Sequence, residues 1–295
     1  ADAARAPLPL PAGVAGHAVV SHRNPWTLHR RWQTALAGFI RSWRPQVLHD
    51  HGLWRPENAA AQRVAVTCGI PLIAQPCGML QRWSMQQKSL KKRLAWALYQ
   101  RALVHHAAAI ITTSADEHAE TRPWLRAGQP VVEIPHGVDM SMPDPAPPRL
   151  RRAVFLGRLH PKKQVDLLIR LWLTLRPAGW QLVIAGSGET QYEQHLRALV
   201  AAGGPAAAIH FAGPVLGRDK QQLLASSQLF LQPSLQENFG LAVAEALTCG
   251  LPALTTRDMP WTQLPTLGAG WSVGSDTDSI EAALEFIAPK VQVAK

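Results

Sequence analysis

The sequence predicts an α/β protein built from two doubly wound, parallel-sheet domains, and three observations support this fold class. In the second half of the chain, short apolar runs alternate with helical runs, which is typical of a parallel sheet covered by helices. Glycines and polar residues directly follow several apolar runs, where open α/β sheets bind ligands. The length of 295 residues and a proline-rich segment at residues 142–148 indicate two domains. We place these domains at residues 1–147 and 148–295.

In the first domain, apolar runs predict strands, and helical runs lie between them. The predicted strands are residues 17–20, 46–49, 71–74, 107–112 and 131–134, and the predicted helices are residues 26–43, 56–68 and 83–101. A further helix is expected after Ser114, because a serine with Glu117 three residues later forms a capping box. Residues 1–16 are rich in Ala, Pro and Gly and predict a loop or an irregular end.

The second domain alternates more regularly than the first. Its predicted strands are residues 153–156, 181–185, 209–212, 228–231 and 253–255. The clearest helix is residues 239–247, since it consists of strong helix formers and meets no breaker before Gly250. A last helix is expected to end near residue 287. This order of elements predicts a parallel, doubly wound sheet.

The net charge of +10 is distributed unevenly along the chain. Residues 1–150 hold 17 Lys and Arg against 9 Asp and Glu, a difference of +8, whereas residues 151–295 hold 13 against 11, a difference of +2. A basic half favours an anionic partner, and both nucleic acid and an anionic membrane surface are candidates. No RNA-recognition, helix-turn-helix or zinc pattern is present, so we expect no nucleic-acid partner.

The cysteines and the apolar runs indicate where the protein works. Cys68, Cys77 and Cys249 are widely spaced and show no metal-ligand pattern, which is typical of a reducing cytoplasm. No run of about 18 apolar residues is present, so no membrane-spanning helix is predicted. No basic end leads into an apolar core in the first residues, so no signal peptide is predicted there. We therefore expect a cytoplasmic location, with peripheral attachment to the inner face of the membrane as an extension.

The predicted helix at residues 83–101 suggests that attachment. It combines cationic side chains with aromatic ones, namely Lys88, Lys91, Lys92, Arg93 and Arg101 with Trp83, Trp96 and Tyr99. Basic residues interleaved with aromatic ones are typical of a helix that lies on a membrane surface. The alternative is a helix that covers the sheet with its apolar face while its lysines are solvated.

Residues 233–252 contain the main candidate site. Glu237 precedes the predicted helix and Glu245 lies inside it, and Gly240 stands at the helix start, where backbone N–H groups attract phosphate. Glu245 is five residues beyond Gly240, about 7.5 Å along a helix, which is the reach from a diphosphate to ribose hydroxyls. Glu237 is then free to face a sugar. The alternative is an amphipathic helix with two solvated glutamates.

A second candidate segment follows the first strand of the second domain. Gly157 permits a tight turn, and Arg158 and Lys163 are cations that suit phosphate oxygens. The alternative is an exposed basic loop. Gly186 follows the next strand and is a weaker candidate, because glycines occur in any tight turn between a strand and a helix.

A third group of candidates follows strands of the first domain. His51 and Gly52 come after residues 46–49, and Gly78 comes after residues 71–74. Because ligands bind beyond the carboxyl ends of parallel strands, these residues are candidates for contacting an acceptor. A histidine at a strand end that caps the backbone is an equally weighted alternative for His51.

These segments together resemble the signature of the retaining nucleotide-sugar glycosyltransferases of family 4, the glycosyl transferases group 1. Glu237 and Glu245 match the two glutamates of that family, which have seven residues between them, and Phe239-Gly240-Leu241 matches as well. Arg158 and Lys163 fall on its diphosphate-binding Arg and Lys. The resemblance extends over about residues 47–283. It implies the GT-B architecture, in which two α/β domains face each other.

The resemblance also implies roles for individual residues and a reaction. Those implied to be catalytic are Arg158, Lys163 and Glu237; those implied to bind the donor are Gly157, Gly186, Asn238, Phe239, Gly240, Leu241 and Glu245; those on the acceptor side are His51, Gly52 and Gly78. The implied reaction transfers a sugar with retention from a nucleoside-diphosphate sugar to a glycan or lipid-linked acceptor, without a cofactor. The Asp-x-Asp match at residues 276–278 stands in a helix-capping turn, so we expect no metal site there.

The chain departs from the family pattern at several positions. Cys77 stands where members with a similar Gly-Met-Leu turn commonly have Arg, and His136 stands where Asn is usual. Gln164 stands where glycine is common. Family members generally begin with a strand and a glycine-rich loop and end with a helical segment that returns to the first domain. We therefore expect a form shortened at both ends, with an incomplete N-terminal domain. The alternative to an enzyme is a catalytically silent, membrane-associated protein that binds a nucleotide sugar.

Overall fold

Two parallel β-sheets with helices between their strands confirm the predicted α/β class. The computed structural model describes residues 25–139, 146–204 and 208–287, and within residues 25–30 it describes the backbone alone. The strand predicted at residues 17–20, the N-terminal loop and residues 142–145 of the predicted linker lie outside the described residues. The domain boundary placed at residue 147 therefore stays a prediction.

The first sheet contains four strands in the order β1-β2-β3-β4. These strands are β1 (Leu48–His51), β2 (Leu72–Gln75), β3 (Ala109–Thr112) and β4 (Val131–Glu133). β1 pairs with β2 and β2 pairs with β3 in parallel. Helices α1 (Pro25–Trp43) and α2 (Pro56–Cys68) match their predictions to within one residue. β1 begins and ends two residues later than predicted, so Asp50 and His51 belong to the strand.

The single helix predicted at residues 83–101 is wrong, because the chain breaks there. α3 (Arg82–Gln86) ends before Lys88, whose backbone is left-handed with a φ of 53°. α4 (Ser89–Ala95) then continues through a π-helical turn (Trp96–Gln100) into α5 (Arg101–His106). None of the described helices combines the length and apolar character needed to cross a bilayer.

The capping box predicted at Ser114 is half formed. The Ser114 side chain accepts a hydrogen bond from the backbone N–H of Glu117 at 3.2 Å and so caps α6 (Ala115–Thr121). The Glu117 carboxylate does not return to Ser114. It accepts instead from the backbone N–H and the hydroxyl of Thr113, both at 2.8 Å.

The second sheet contains six parallel strands in the order β10-β9-β8-β5-β6-β7. They are β5 (Arg152–Leu156), β6 (Gln181–Ala185), β7 (Ile209–Gly213), β8 (Leu229–Gln232), β9 (Ala253–Thr256) and β10 (Gly270–Val273). Five of these strands were predicted to within one residue at each end. β10 was missed because its sequence, Gly-Trp-Ser-Val, contains no apolar run, and its residues are only half-buried.

Helices cover both faces of the second sheet and make two apolar cores. The helices are α7 (Val165–Leu175), α8 (Thr190–Gly203), α9 (Gly217–Ala225), α10 (Leu241–Thr248) and α11 (Thr277–Ile287). Phe155 of β5 packs with side chains of α7, α8 and α11 on one face. Its neighbour Val154 packs with side chains of α9 and α10 on the other face. Burial on both faces explains why the strands are almost continuously apolar.

The order of strands identifies the edge at which sheets of this kind bind ligands. The chain passes from β5 through β6 to β7, then returns to place β8 on the other side of β5. The strand order therefore reverses between β5 and β8, and open α/β sheets bind ligands at such a point, beyond the carboxyl ends of the strands. The residues that follow β5 and β8 are the basic loop and the glutamate-containing segment of the sequence motifs.

The chain divides into two compact units. Among the described residues, the first unit comprises residues 25–76, 88–110 and 125–130, and the second comprises residues 77–87, 111–124 and those from 131 onward. All the donor-side residues named from the sequence, and also Gly78, belong to the second unit. His51 and Gly52 belong to the first.

Candidate active site

The basic loop after β5 is held by backbone hydrogen bonds to the segment after β6. The N–H of Gly157 donates to the carbonyl of Ala185 at 3.0 Å, and the N–H of Leu159 donates to that of Ser187 at 2.9 Å. A Cβ atom on Gly186 would lie 1.8 Å from the carbonyl oxygen of Gly157. Gly186 is therefore required because two backbone segments pass each other closely, and its predicted donor contact stays a prediction.

Gln164 has a conformation that explains why glycine is common at this position. Its backbone is left-handed, with φ 51° and ψ 36°, a region that costs an ordinary residue roughly 1–2 kcal/mol. The Gln164 side chain offsets this cost by donating hydrogen bonds to the carbonyls of Pro233 at 2.9 Å and Ser275 at 3.3 Å. The substitution therefore keeps the loop conformation and ties the loop to the end of β8.

The Lys163 ammonium forms an ion pair with the Glu237 carboxylate. Glu237 is buried, and its Oε1 also accepts a hydrogen bond from the amide of Gln232 at 3.2 Å. The backbone N–H of Leu235 donates to the carbonyl of Lys162 at 2.9 Å, which joins the two loops. The structure therefore brings together two of the three residues implied to be catalytic.

The pKa of Glu237 lies below its ordinary value. Burial alone would raise the pKa of this carboxyl, but the ammonium groups of Lys163 and Lys162 outweigh burial by stabilising the charged form. Glu237 is therefore a carboxylate at neutral pH. Arg158, the third implied catalytic residue, has an exposed side chain on the same loop.

Lys162 is a residue that the sequence analysis missed. Its ammonium lies 5.5 Å from the ring centroid of Trp83, in a cation–π contact. Burial lowers the pKa of Lys162, while the charge of Glu237 acts in the opposite direction. The adjacent lysines in the sequence were a signal, but nothing in the sequence distinguished an inward-facing Lys162 from a solvated one.

Gly240 stands at the start of α10, as predicted, but its lack of a side chain leaves room for Trp261, and the predicted approach of a ligand stays a prediction. Gly240 has a φ of 81°, and a Cβ atom there would lie 2.9 Å from Nε1 of Trp261. That indole N–H donates to the carbonyl of Phe239 at 2.6 Å. The Phe239 ring contacts those of Trp261 and His136, with centroid distances of 5.6 and 5.5 Å. Leu241, the first residue of α10, is exposed.

Glu245 lies on α10 and has its own cationic partner. The Lys220 ammonium on α9 is 2.7 Å from a Glu245 oxygen, and both side chains are partly exposed. The two glutamates of the motif therefore face different lysines. Lys220 could not be predicted from the sequence, because only the packing of α9 and α10 on the same face of the sheet brings it to Glu245.

Gly78 lies beside Asn238, in the segment that precedes α10. A Cβ atom on Gly78 would lie 3.0 Å from Cβ of Asn238, and Gly78 has a φ of 75°. The carbonyl of Asn238 accepts a hydrogen bond from the Ser114 hydroxyl at 2.6 Å. Cys77 is half-buried and also has a left-handed φ, of 53°.

The remaining acceptor-side candidates lie at the end of β1 in the first unit. His51 is exposed, and its ring centroid is 4.1 Å from that of His49. Gly52 is buried, has a φ of 86° and donates its N–H to the carbonyl of Gln75 at 2.8 Å. Burial raises the pKa of Asp50, which accepts hydrogen bonds from the amide of Asn58. The acceptor role of His51 and Gly52 stays a prediction.

The Asp-x-Asp segment forms the helix cap that the sequence predicted. Asp276 accepts hydrogen bonds from the backbone N–H of Ser279 at 2.9 Å and from its hydroxyl at 2.8 Å, at the start of α11. These bonds lower the pKa of Asp276. Across the described ranges, no group of three His, Cys, Asp or Glu side chains is placed to hold a metal ion.

Solved structures share this architecture. Sucrose-phosphate synthase from Thermosynechococcus elongatus is similar with a TM-score of 0.74 and 16% identity, over 92% of this chain and 72% of that chain. HepE from Anabaena in complex with UDP and glucose is similar with a TM-score of 0.70 and 16% identity, over 88% and 72%. At this identity the likeness establishes the fold. Two Rossmann-like parallel sheets define a protein of the GT-B class.

The family follows from the sequence itself. Residues 1–137 match the model of the glycosyl transferase 4-like domain, and residues 151–286 match that of glycosyl transferases group 1. The chain therefore belongs to the glycosyl transferases group 1 family. It is 32% identical over 170 residues to the GDP-mannose-dependent alpha-(1-6)-phosphatidylinositol dimannoside mannosyltransferase of Mycobacterium tuberculosis. That match covers 53% of this chain and 43% of the mycobacterial protein, so the chain spans less than half the length of this relative.

Proposed function

We propose that this protein transfers a sugar from a nucleoside-diphosphate sugar to a glycan or lipid-linked acceptor, with retention of configuration and without a metal ion or cofactor. The observation that carries the proposal is the buried ion pair of Lys163 and Glu237, at the point where the strand order of the second sheet reverses. A structural protein gains little from a pair in this position, because burying two charges costs about as much as their attraction returns.

The charges of the site suit the leaving group of such a reaction. Breaking a sugar–phosphate bond adds negative charge to the nucleoside diphosphate, and donors fixed in advance stabilise that charge in the transition state. Arg158 and Lys163 supply two cations from one loop, and the N-terminus of α10 supplies backbone N–H groups. In this proposal Lys163 is shared between the diphosphate and Glu237.

The two glutamates have separate roles in this proposal. Glu237 is ionised, so it stabilises positive charge on the oxocarbenium-like sugar or accepts a hydrogen bond from a sugar hydroxyl. Glu245, further along α10 and paired with Lys220, accepts hydrogen bonds from the ribose. A catalytically silent binder would need the second role but not the first. The ionised Glu237 therefore favours the enzyme.

We also propose that the acceptor is presented at an anionic membrane surface. No Asp or Glu occurs between Glu57 and Asp116. Leu90, Leu94 and Leu98 are 79%, 61% and 71% exposed, and their spacing of four residues places them on one side of the helix from α4 to α5. We call these three side chains the leucine stripe.

The aromatic residues of this helix point elsewhere. Trp96 packs near Trp54, with a centroid distance of 6.3 Å, and the Tyr99 hydroxyl donates to the carbonyl of Trp54 at 3.1 Å. We therefore propose that the leucine stripe, and not these aromatic side chains, contacts the membrane. Lys91 and Arg93 are exposed next to it, which complements anionic headgroups.

The test of transfer uses GDP-mannose and UDP-glucose, the first named for the mycobacterial relative and the second suggested by the UDP and glucose in the HepE structure. A donor at 100 times its Kd should stabilise the protein by about 2.7 kcal/mol, seen as a rise in Tm. Mass spectrometry then detects transfer to glycan and lipid-linked acceptors, and NMR of the product determines its anomeric configuration. Donor binding without any transfer would support the silent binder, and an inverted product would contradict retention.

A further inference from the structure

A group of hydrogen bonds within the second unit holds Asn238, the residue that follows Glu237. The Ser114 hydroxyl donates to the Asn238 carbonyl at 2.6 Å, and the Asn238 side-chain amide donates to the Thr113 hydroxyl oxygen at 3.2 Å. Both the backbone and the side chain of Asn238 are therefore fixed by adjacent residues at the start of α6. We call Thr113, Ser114 and Glu117 the clamp.

Glu117 orients the two hydroxyl groups of the clamp. It is fully buried, and one carboxylate oxygen accepts from the N–H and the hydroxyl of Thr113, both at 2.8 Å. The Thr113 hydroxyl also lies 3.2 Å from the Asn238 carbonyl, but it has one proton, which the closer Glu117 carboxylate at 2.8 Å takes. The Thr113 oxygen then accepts from the Asn238 amide. The N–H of Glu117 donates to Ser114, which leaves the Ser114 proton for the Asn238 carbonyl.

The same carboxylate also fixes the turn that packs against Asn238. The second oxygen of Glu117 accepts a hydrogen bond from the N–H of Gly78. Gly78 has a φ of 75°, which side chains rarely adopt, and a Cβ atom there would lie 2.8 Å from Oε1 of Gln81 and 3.0 Å from Cβ of Asn238. Asn238 therefore lies between the clamp and the Gly78 turn, both of which are set by one buried glutamate.

We propose that the clamp positions Glu237 for sugar transfer, an inference that rests on the proposed function. Asn238 directly follows Glu237, which pairs with Lys163. It lies two residues before Gly240, at the start of α10. Fixing the Asn238 carbonyl sets the direction of the chain on both sides, and thus the placement of the carboxylate relative to the helix N-terminus. A misplacement of about 1 Å can lower a rate about 10²-fold. Thr113, Ser114 and Glu117 are positioning residues and need not touch the substrates.

The experiment compares Thr113→Val and Ser114→Ala with Thr112→Val as the matched control. Thr112 is also fully buried, but its hydroxyl has no hydrogen-bond partner in the described part of the chain. Hydrogen exchange of the ligand-free protein is measured over residues 236–241. Exchange there should rise in the two clamp variants by about tenfold or more and stay unchanged in Thr112→Val. Unchanged exchange in both clamp variants overturns the clamp, whatever the donor proves to be.

The second measurement separates positioning from binding. Thr113→Val should lower the release of nucleoside diphosphate from GDP-mannose or UDP-glucose by about tenfold or more, with the Kd for free GDP or UDP changed less than threefold, and Thr113→Ser should restore the rate. Raised exchange with unchanged turnover overturns the role in transfer. If the unmodified protein binds neither donor, the proposed function fails and the role in transfer fails with it, while exchange still decides whether the clamp holds the loop.

Discussion

Lys163 contacts one anion in this structure and is proposed to bind a second one, the diphosphate. Its pairing with Glu237 keeps the ammonium in place before the donor arrives, because both side chains are mostly buried. A preorganised charge is worth more for catalysis than one that must be oriented during the reaction. The pair also ties the loop after β5 to the loop after β8, so its removal has both binding and structural consequences.

Replacing Lys163 by Ala should weaken nucleoside-diphosphate binding and lower turnover by about 10²-fold or more, the scale observed when one charge-stabilising donor is lost. Arg170→Ala, which removes an exposed cation from α7 in the same unit, is the control and should change neither quantity. Calorimetric titration and a transfer assay measure the two effects. Wild-type kinetics for Lys163→Ala with a confirmed donor would exclude this role.

Glu237 should make stability depend on acid pH. Its pKa is lower in the folded state than the ordinary value of 4.5, so the unfolded state binds more protons near that pH. Its contribution to the free energy of unfolding is therefore present above pH about 4.5 and is lost as the pH falls through the folded-state pKa. Urea unfolding between about pH 6 and 3 should show a smaller loss of stability for Glu237→Gln than for the unmodified protein. Equal losses would contradict a lowered pKa.

Single residues could be predicted from the sequence only where a local pattern marked them. Glu237, Glu245 and Lys163 belong to short motifs, and the structure places Lys163 after β5, Glu237 after β8 and Glu245 inside α10. Their partners could not be predicted in the same way, because Glu237 and Lys163 are 74 residues apart in the chain and Glu245 and Lys220 are 25 apart. Such pairs depend on strand order and on which helices share a face, neither of which a local pattern specifies.

At the level of whole elements, the helix from α4 to α5 combines two faces with different chemistry. One face carries Trp96 and Tyr99 toward Trp54, and the other carries the leucine stripe. The left-handed Lys88 separates this helix from α3, so Trp83 belongs to a different element and contacts Lys162. Basic and aromatic residues occur throughout residues 83–101, but they belong to two elements with different contacts.

Vesicle binding tests the leucine stripe. Full burial of one leucine contributes about 1.5–3 kcal/mol, so replacing all three by Ser should lower partitioning to phosphatidylglycerol vesicles by about tenfold or more. Replacing the exposed Leu216 and Leu267, which lie in the other unit, is the control and should have no such effect. Co-sedimentation at rising salt should show binding that weakens, because Lys91 and Arg93 act through screened charge. Equal binding to phosphatidylcholine vesicles would exclude the electrostatic part of the proposal.

A strand could be predicted from the sequence where burial gives it a continuous run of apolar residues. β6 lies where it was predicted because all but its first residue are buried, whereas β10 alternates small, aromatic and polar residues at half burial and gave no signal. The break at Lys88 was missed for a related reason. Nothing in the side chain of a lysine marks a left-handed backbone, which glycine or asparagine would have indicated.

At the scale of the whole molecule, the alternation of elements was sufficient to predict the fold class but not the grouping of segments. Residues 77–87 and 111–124 are adjacent in sequence to elements of the first sheet, yet both belong to the second compact unit. Hydrogen bonds link them to the rest of that unit, such as those of Ser114 with Asn238 and of Gln236 with Glu120. A boundary drawn from a proline-rich segment contains no information about such contacts.

The close passage of the backbone after β5 and β6 also limits how this protein can evolve. Gly186 and Gly188 face the carbonyl oxygens of Gly157 and Leu159 so closely that an added methyl group would lie within 2.0 Å of them. Alanine, the smallest change available, is therefore already excluded at both positions. Side chains of the basic loop can therefore change in descendants of this chain, whereas the path of its backbone is constrained by the two glycines. That path is inherited only where both glycines are retained.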